Sequence, residues 1–309
     1  MKHNLGIVIL NYNTPNDVEK CIDSIRKYCT ESFRIYLVDN CSTDNSVEYF
    51  NRVYEGSTDV IILKSDINRG FSAGNNLGGF AAAKDGMDLL LFTNSDIEFK
   101  ESSISAMREV LSSPHYDDVG IVGPRIETPD SDSSEFARKR ITLNYYLKTK
   151  KPFCYFVSNK FNKRYQKITF DDHNVFTFEG MVSGCCLMMK TKLFVENKGF
   201  DESLFLYGEE DIWAYKLAAI GLKAAIAGKS VVFHNHHNSI KKRGLAFTRF
   251  YQWLSPLIVI KAYGTYSTNL FKIVCICNLL TWDMCSVFSE DYRKMRTDFR
   301  NHIIKLMKE

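Results

Sequence analysis

The chain has 309 residues, of which 45% are apolar, and a formal net charge of +4 at pH 7. This length suits one large domain, or a domain with an appended helical part, and the apolar share is ample for a packed core. The composition therefore excludes a disordered chain, and so mild a charge gives no reason to expect a nucleic-acid partner.

The predicted elements begin at the N-terminus, where "MKHNLGIVILNYN" has too short an apolar stretch for a signal peptide and predicts a first strand. Short apolar runs then alternate with helical patterns up to about residue 125, which predicts a mostly parallel sheet with crossover helices. The predicted strands are "LGIVIL" (5–10), "FRIYLVDN" (33–40), "DVIILK" (59–64), "DLLLFTN" (88–94) and "VGIVG" (119–123). Pro15 suits the first position of a helix between the first two strands, and Thr14 can cap it.

From about 126 to 175 the pattern gives way to acidic and then basic and aromatic residues, which indicates an insertion or a flexible lobe. Strand patterns return in "VFTFEGMVSGCCLMM" (175–189), and a helix begins near "EEDIWAYKLAAIG" with Gly221 as its C-terminal cap. "KAAIAG" and "SVVFHNH" predict further strands, and the chain from about 244 is helical.

The most apolar stretch of this helical tail, residues 269–282, is interrupted by Lys272 and Asn278 and is too short to be expected to cross a bilayer. Its apolar stripe and nearby basic residues fit an interfacial helix on anionic lipid, or packing against the rest of the chain or a second subunit. The nine cysteines have no regular spacing and no C-x-x-C pair, which predicts reduced thiols in the cytoplasm.

Polar residues stand at the carboxyl ends of four predicted strands, where open parallel sheets bind ligands. They are Asn11, Asp39, the segment "NRGFSAGNN" (68–76) and "NSD" (94–96). A dinucleotide-binding dehydrogenase would need a Gly-rich turn directly after the first strand, but "NYNTPND" stands there, which argues against that class.

The motifs "VILNYN", "VDNCSTDNS", "NRGFSAGNN", "TNSD" and "GFDESLFLYGEEDIWAYKL", in this order, resemble those of family 2 inverting glycosyltransferases near the rhamnosyltransferase-like branch. The resemblance covers about residues 5–239 and implies an α/β, GT-A-like (Rossmann-like) fold with a mostly parallel central sheet flanked by helices. We expect a catalytic domain over 1–240, with the donor half up to about 125 and the acceptor half over 126–240. A helical C-terminal extension over 241–309 would associate with a membrane or form a dimer.

The resemblance implies a nucleotide-sugar donor, with Asp39 accepting a hydrogen bond from the nucleobase or its ribose. The implied donor-binding residues are Asn11, Asp39, Asn68, Arg69, Gly74, Asn94, Ser95 and Asp96. Two alternatives remain open: Asp39 caps the turn that follows it, and Arg69 is a solvated loop charge.

The resemblance also implies a divalent cation, Mg²⁺ or Mn²⁺, held by Asp96 and His234 together with the diphosphate of the donor. Asn94 occupies the first position of the family's D-x-D pattern, where an acid is usual, and offers a neutral ligand at best. His234 opens a stretch up to Ser239 that is similar to the family's H-x4-S motif. An ordinary hydrogen-bonded histidine is the alternative.

Asp211 is the residue that resembles the family's catalytic base. Because Glu209 adds a third acid, the alignment with the family motif is ambiguous by one residue, and Glu210 remains an alternative. The alternative to a catalytic role is that these acids only stabilise the N-terminus of the helix through its dipole. On the acceptor side, Gly184 would allow close approach of the sugar and Trp213 would contact it. The implied reaction is a single displacement with inversion, in which the base removes a proton from the acceptor hydroxyl.

The predicted function is therefore transfer of a sugar, rhamnose from dTDP or a hexose from UDP, to a growing and lipid-linked bacterial surface glycan such as an O-antigen or capsule. The enzyme would act as a peripheral protein at the inner face of the cell membrane, with a homodimer as one option. The alternatives are a nucleotidyltransferase, which usually has a basic Gly-rich first loop, and a non-catalytic sugar-nucleotide-binding or scaffold subunit, which needs no base.

Overall fold

The computed structural model describes residues 4–129, 131–134, 137–149, 168–171, 173–235 and 244–308. The strands are β1 Leu5–Asn11, β2 Phe33–Asp39, β3 Val60–Lys64, β4 Leu89–Asn94, β5 Ile97–Phe99, β6 Val119–Thr128, β7 Ser131–Ser134, β8 Val175–Phe178, β9 Cys186–Lys190 and β10 Lys223–His234. The helices are α1 Pro15–Tyr28, α2 Ser46–Tyr54, α3 Phe71–Lys84, α4 Ser103–Ser112, α5 Leu143–Thr149, α6 Thr191–Glu196, α7 Glu209–Ala219, α8 Leu245–Tyr263, α9 Thr268–Phe288, α10 Glu290–Lys294 and α11 Arg296–Lys308.

The strands form one sheet in the order β3-β2-β1-β4-β9-β6-β10-β5, with β7 beside β6 and β8 beside β10. The first four strands in this order are parallel to one another, as predicted from the alternation of strands and helices. The other half is mixed, because β9 runs antiparallel to both β4 and β6, while β10 is parallel to β6. The parallel core therefore brings the ends of β1, β2 and β4 to one edge.

Helices cover both faces of β1, which explains why its apolar run is continuous rather than alternating. On one face α1 buries the stripe Val18, Cys21, Ile22 and Ile25. On the other face α3 approaches closely, since a Cβ at Gly78 would lie 2.5 Å from a methyl carbon of Val8. The small residues of "FSAGNNLGGFAAAK" thus set a short distance between α3 and the sheet.

The predicted insertion at 126–175 contributes β7 and α5, and its residues 150–167 lie outside the described part of the chain. Gly221 follows α7 with a φ of +73°, as expected for the left-handed residue that ends a helix. The predicted strands "KAAIAG" and "SVVFHNH" fall on one strand, β10, which ends at His234; residue 236 lies outside the described residues.

Helices α8 to α11 pack together around an apolar cluster that also includes residues of α5 and α7. Of the helices in the described residues, α9 is long and apolar enough to cross a membrane by length and composition alone. It extends over 21 residues, beyond the stretch 269–282 identified in the sequence. One third of its most apolar window is nevertheless buried inside the protein.

Candidate active site

The ends of β1 and β2 bring Asn11 and Asp39 into direct contact, since these residues are paired in the register of the two strands. The Asn11 amide donates to Asp39 Oδ1 at 2.8 Å, and Asp39 Oδ2 accepts from the Ser42 backbone N–H at 2.9 Å. Both side chains are buried. Asp39 therefore caps the following turn and is held in a fixed orientation, and each of its oxygens keeps one further acceptor site.

Thr14 connects this pair to the end of β4. Its hydroxyl donates to Asn11 Oδ1 at 3.0 Å and lies 2.9 Å from the Ser95 hydroxyl. Thr14 occupies the N-cap position of α1, as predicted, and its carbonyl accepts from the Asp17 N–H, but its side chain makes no capping hydrogen bond. The Thr14 hydroxyl contacts Asn11 and Ser95 instead.

Asn40 is a buried polar residue of this edge that the sequence analysis did not select. Its amide nitrogen donates to Asn68 Oδ1 and to the Gly70 carbonyl, each at 3.1 Å. Its Oδ1 is buried and has no hydrogen-bond partner in the part of the chain that the structure describes. The signal in the sequence was its position directly after Asp39, at the end of a predicted strand.

The loop after β3 is built around Gly70, whose φ is +95°. A Cβ at this position would lie 2.1 Å from the Phe205 carbonyl oxygen, so only glycine fits. Arg69 is 59% exposed, with Nη1 3.3 Å from a Glu202 carboxylate oxygen. Gly74 is buried against Leu10, since a Cβ there would lie 2.4 Å from a methyl carbon of Leu10.

Asp96 meets His234 where the ends of β4 and β10 come together. The Asp96 Oδ1 and His234 Nε2 atoms are 3.1 Å apart, and the two side chains are only 10% and 5% exposed. Burial alone would lower the pKa of His234, but Cys185 and the Asp96 carboxylate outweigh it and raise the pKa to about 10. Asp96 and Cys185 thus favour the protonated imidazole, and a cation could bind His234 Nε2 only in place of that proton.

The predicted divalent cation can be tested against these two side chains. A buried carboxylate oxygen facing an imidazole nitrogen offers two ligand atoms, and Mg²⁺ commonly uses one or two carboxylates together with substrate phosphates. Among the described residues, no group of three or more His, Cys, Asp or Glu could hold a metal by itself. Asp96 and His234 therefore fit a cation only if a phosphate-bearing ligand completes its ligand set.

The Gly184–Cys185 peptide connects this region to the start of α7. The Cys185 carbonyl accepts from the Asn94 backbone N–H at 2.8 Å, while the Gly184 N–H donates to Glu210 Oε1 at 3.1 Å. A Cβ at Gly184 would lie 2.9 Å from that same oxygen. Asn94 and Glu210 therefore bond to two adjacent residues, Cys185 and Gly184, whose Cα atoms are about 3.8 Å apart.

The three acids at the start of α7 have different surroundings. Asp211 is buried, and its Oδ1 accepts from the Ile141 N–H at 3.1 Å. Glu209 is also buried, and burial followed by the charge of Glu210 raises its pKa well above the usual value. Glu210 is half-buried, so it is the one of the three with access to solvent.

Trp213 does not lie where an acceptor sugar could stack on it. It is 2% exposed and packs in the core, with its ring edge-to-face with Phe200 at 6.1 Å. The reason is tertiary packing, because Trp213 belongs to the apolar cluster under the sheet, together with Phe200 and Leu217. We therefore do not retain Trp213 as an acceptor-binding residue.

Comparisons with known proteins give a consistent result. The matching family model is glycosyl transferase family 2, over residues 6–194. N-acetylglucosaminyl-diphospho-decaprenol L-rhamnosyltransferase of Mycobacterium tuberculosis is 23% identical over 244 residues, 76% of this chain and 77% of the relative.

Two solved structures are similar in fold. S. aureus TarS 1–349 in complex with UDP-GlcNAc gives a TM-score of 0.57 at 12% identity, over 98% of this chain and 81% of that one. The mannosyltransferase PcManGT of Pyrobaculum calidifontis, in complex with GDP-Man and Mn²⁺, gives 0.55 at 14% identity, over 99% and 86%. These likenesses confirm the predicted fold class.

Proposed function

Because the chain belongs to glycosyl transferase family 2, as its motifs predict, we propose that it moves a sugar from a nucleotide-sugar donor to a hydroxyl group of a growing, lipid-linked bacterial surface glycan. Support for the acceptor comes from the mycobacterial relative, whose name describes a diphospho-decaprenol substrate. Support for the donor comes from the UDP-GlcNAc and GDP-Man bound to the structural neighbours. A dTDP-sugar or a UDP-hexose is the proposed donor, and the cytoplasm at the inner face of the membrane is the proposed location.

The observation that carries this proposal is the approach of Asn94 and Glu210 across the Gly184–Cys185 peptide. A transferase needs a base beside the sugar-binding end of its donor site. In our proposal Asn94 lies at that end, and the Gly184–Cys185 peptide connects it to Glu210. Glu210 is our proposed base instead of Asp211, because Asp211 is buried and already accepts from Ile141. The Gly184 N–H holds one oxygen of Glu210, which leaves the other to accept the proton of the acceptor hydroxyl.

In the proposed donor site, Asp39 accepts a hydrogen bond from the nucleobase or ribose, and Asn11 keeps its carboxylate in place. Arg69 is exposed and would leave its contact with Glu202 to approach the diphosphate, while Asn68 and Gly74 shape the loop and the helix beside it. Asn94 and Ser95 lie at the sugar end. Asp96 and His234 would hold a divalent cation, which when bound neutralises the charge of the leaving diphosphate.

The proposed step is a single displacement that inverts the anomeric centre. Glu210 takes the proton from the acceptor hydroxyl as that oxygen attacks, and the nucleoside diphosphate leaves from the opposite face of the sugar. Without a bound cation, a protonated His234 would supply the positive charge beside Asp96; with one bound, the imidazole is a neutral ligand and the metal supplies that charge.

The test separates binding from chemistry. We expect UDP, dTDP or GDP to raise the melting temperature of the purified protein, with an additional rise on adding Mn²⁺ that is lost in Asp96→Ala. Glu210→Gln should keep the nucleotide-dependent rise but lower the rate of nucleoside diphosphate release by about 10²- to 10⁴-fold. Asp211→Asn is the matched control, because its oxygen still accepts from Ile141, and it should release product at nearly the wild-type rate.

The absence of a melting shift with every nucleotide would overturn the transferase proposal. If Asp211→Asn loses turnover and Glu210→Gln does not, the base is Asp211, and the assignment of Glu210 is wrong. A nucleotide-dependent shift without any turnover in the wild type would favour a binding subunit instead.

A further inference from the structure

Helix α9 carries an exposed apolar stripe along its whole outer face. Its members recur every three or four residues, so they lie on one side of the helix. They are Ile273 (52% exposed), Ile276 (46%), Leu280 (59%), Met284 (65%), Val287 (67%) and Phe288 (87%). From the first to the last this stripe extends over about 22 Å, at 1.5 Å per residue. So continuous an exposed apolar surface marks an interaction site.

The opposite face of α9 is buried in the protein interior. Phe271, Val274, Asn278 and Trp282 are buried there, among the residues of α8 and α11. The Asn278 side chain takes part in this packing, with its Oδ1 2.9 Å from the buried hydroxyl of Tyr146. A helix held in this way lies along the surface of the molecule, since crossing a bilayer would require it to leave these contacts.

Positive charge runs along one side of the stripe. Lys272 is exposed, and Asp283 lies three turns further on the same side of the helix. Asp283 is the single acidic residue of α9, and it bonds to two arginines of α11, Arg296 and Arg300. Those arginines are 49% and 41% exposed, so the row carries three positive charges against one negative charge.

We propose that this stripe and its row of cations dock the protein onto an anionic lipid surface, with α9 lying in the plane of the membrane interface. Apolar side chains enter the boundary between headgroups and acyl chains, and neighbouring Lys and Arg side chains pair with anionic headgroups. A second copy of the chain is a poorer occupant, because the row of each copy is net positive, its one acid, Asp283, being already paired with Arg296 and Arg300. The purpose of the docking, access to a lipid-linked acceptor, rests on the proposed function, but the docking itself does not.

Vesicle sedimentation of the full chain tests the proposal without any sugar transfer. We expect binding to vesicles of equal parts phosphatidylcholine and phosphatidylglycerol, and much weaker binding to phosphatidylcholine alone. The triple variant Leu280→Gln, Met284→Gln, Phe288→Gln should bind at least about tenfold more weakly, because three large side chains no longer enter the lipid. Lys272→Glu should weaken binding about fivefold or more at low salt and have less effect at high salt.

The matched control replaces exposed apolar residues outside the stripe: Val53→Gln, Val195→Gln, Ile220→Gln. It should bind vesicles like the wild type, and all variants should keep the nucleotide-dependent melting shift. Absence of wild-type binding, or equal loss in stripe and control variants, would overturn the proposal. A wild-type dimer in sedimentation velocity that the stripe variant makes monomeric, without vesicle binding, would assign the stripe to a second copy and likewise overturn it.

Discussion

Glu209 is the residue with the least favourable surroundings in the candidate site. It is 5% exposed, and its Oε2 has no hydrogen-bond partner in the described part of the chain. Burial, followed by the charge of Glu210, raises its pKa well above the ordinary value of 4.5. The folded protein therefore keeps a proton on Glu209 over a range of pH in which the unfolded chain has released it.

This shift predicts how Glu209→Gln changes stability with pH. Below the ordinary pKa both states are protonated, so the variant and the wild type should unfold alike at about pH 4. Above the ordinary pKa, Glu209 loses its proton in the unfolded wild type but keeps it in the folded protein. The free energy of unfolding of the wild type therefore falls by about 1.4 kcal/mol per pH unit until the pH reaches the pKa of the folded state. Glutamine does not titrate, so the variant should be the more stable protein at about pH 8, as measured by urea unfolding at both pH values. A variant that is less stable at both would mean that the carboxyl group makes a hydrogen bond that glutamine cannot replace.

At the level of single residues, the sequence predicted positions better than roles. The strand-end pattern identified Asn11, Asp39 and Asp96, because a strand that is buried on both faces ends where its continuous apolar run gives way to polar residues. It could not distinguish Glu210 from Asp211, since that choice depends on Ile141, a residue 70 positions away in the sequence. Trp213 was misplaced for the same reason, because its neighbours come from distant strands.

At the level of elements, short hydrogen-bonded contacts join α7 to the C-terminal helices through α5. Two side chains of α7, Asp211 and Tyr215, bond to the N–H and the carbonyl of Ile141, directly before α5. Tyr146 of α5 then places its hydroxyl 2.9 Å from Asn278 Oδ1 and 3.2 Å from the Trp253 carbonyl. The start of the proposed catalytic helix is thus supported by α8 and α9.

Tyr146→Phe should weaken this support. The substitution removes the hydroxyl that donates to the buried Asn278 oxygen, at a cost of about 1–3 kcal/mol in the free energy of unfolding. Tyr28→Phe, at the half-buried end of α1, is the control and should change stability by less than about 0.5 kcal/mol. Equal effects of the two substitutions in urea unfolding would show that the Tyr146 hydroxyl adds nothing to stability.

The elements themselves were predictable wherever one periodicity dominated. The stripe of α1 and the apolar runs of β1 to β4 each allow a single interpretation. Helix α9 allowed two, because it is apolar on nearly all sides, and its sequence does not say which face the protein covers. Only the packing of Phe271, Val274 and Trp282 against α8 and α11 leaves the other face exposed.

At the level of the whole molecule, α7 belongs to two apolar clusters at once. Ile212 packs in the cluster of the C-terminal helices, whereas the next residue, Trp213, packs under the sheet with Phe200 and Leu217. If either cluster came apart and α7 unfolded with it, the other cluster would lose a side chain of α7 and expose apolar surface. We therefore expect the sheet and the C-terminal helices to unfold together, even though the sequence suggests a boundary near residue 240.

The three tryptophans make this cooperativity measurable, because Trp213 reports on the sheet, and Trp253 and Trp282 report on the C-terminal helices. In Trp253→Phe, Trp282→Phe the fluorescence of Trp213 should change at the same urea concentration as the far-ultraviolet circular dichroism. In Trp213→Phe the fluorescence of the other two should likewise follow the circular dichroism. Both probes are compared within the same variant, so the destabilisation that a substitution causes affects them equally. A midpoint that differs between the probes would mean that the C-terminal helices unfold as a separate unit. Coincident midpoints would instead mean that the surface of α9 stays fixed relative to the proposed active site for as long as the protein is folded.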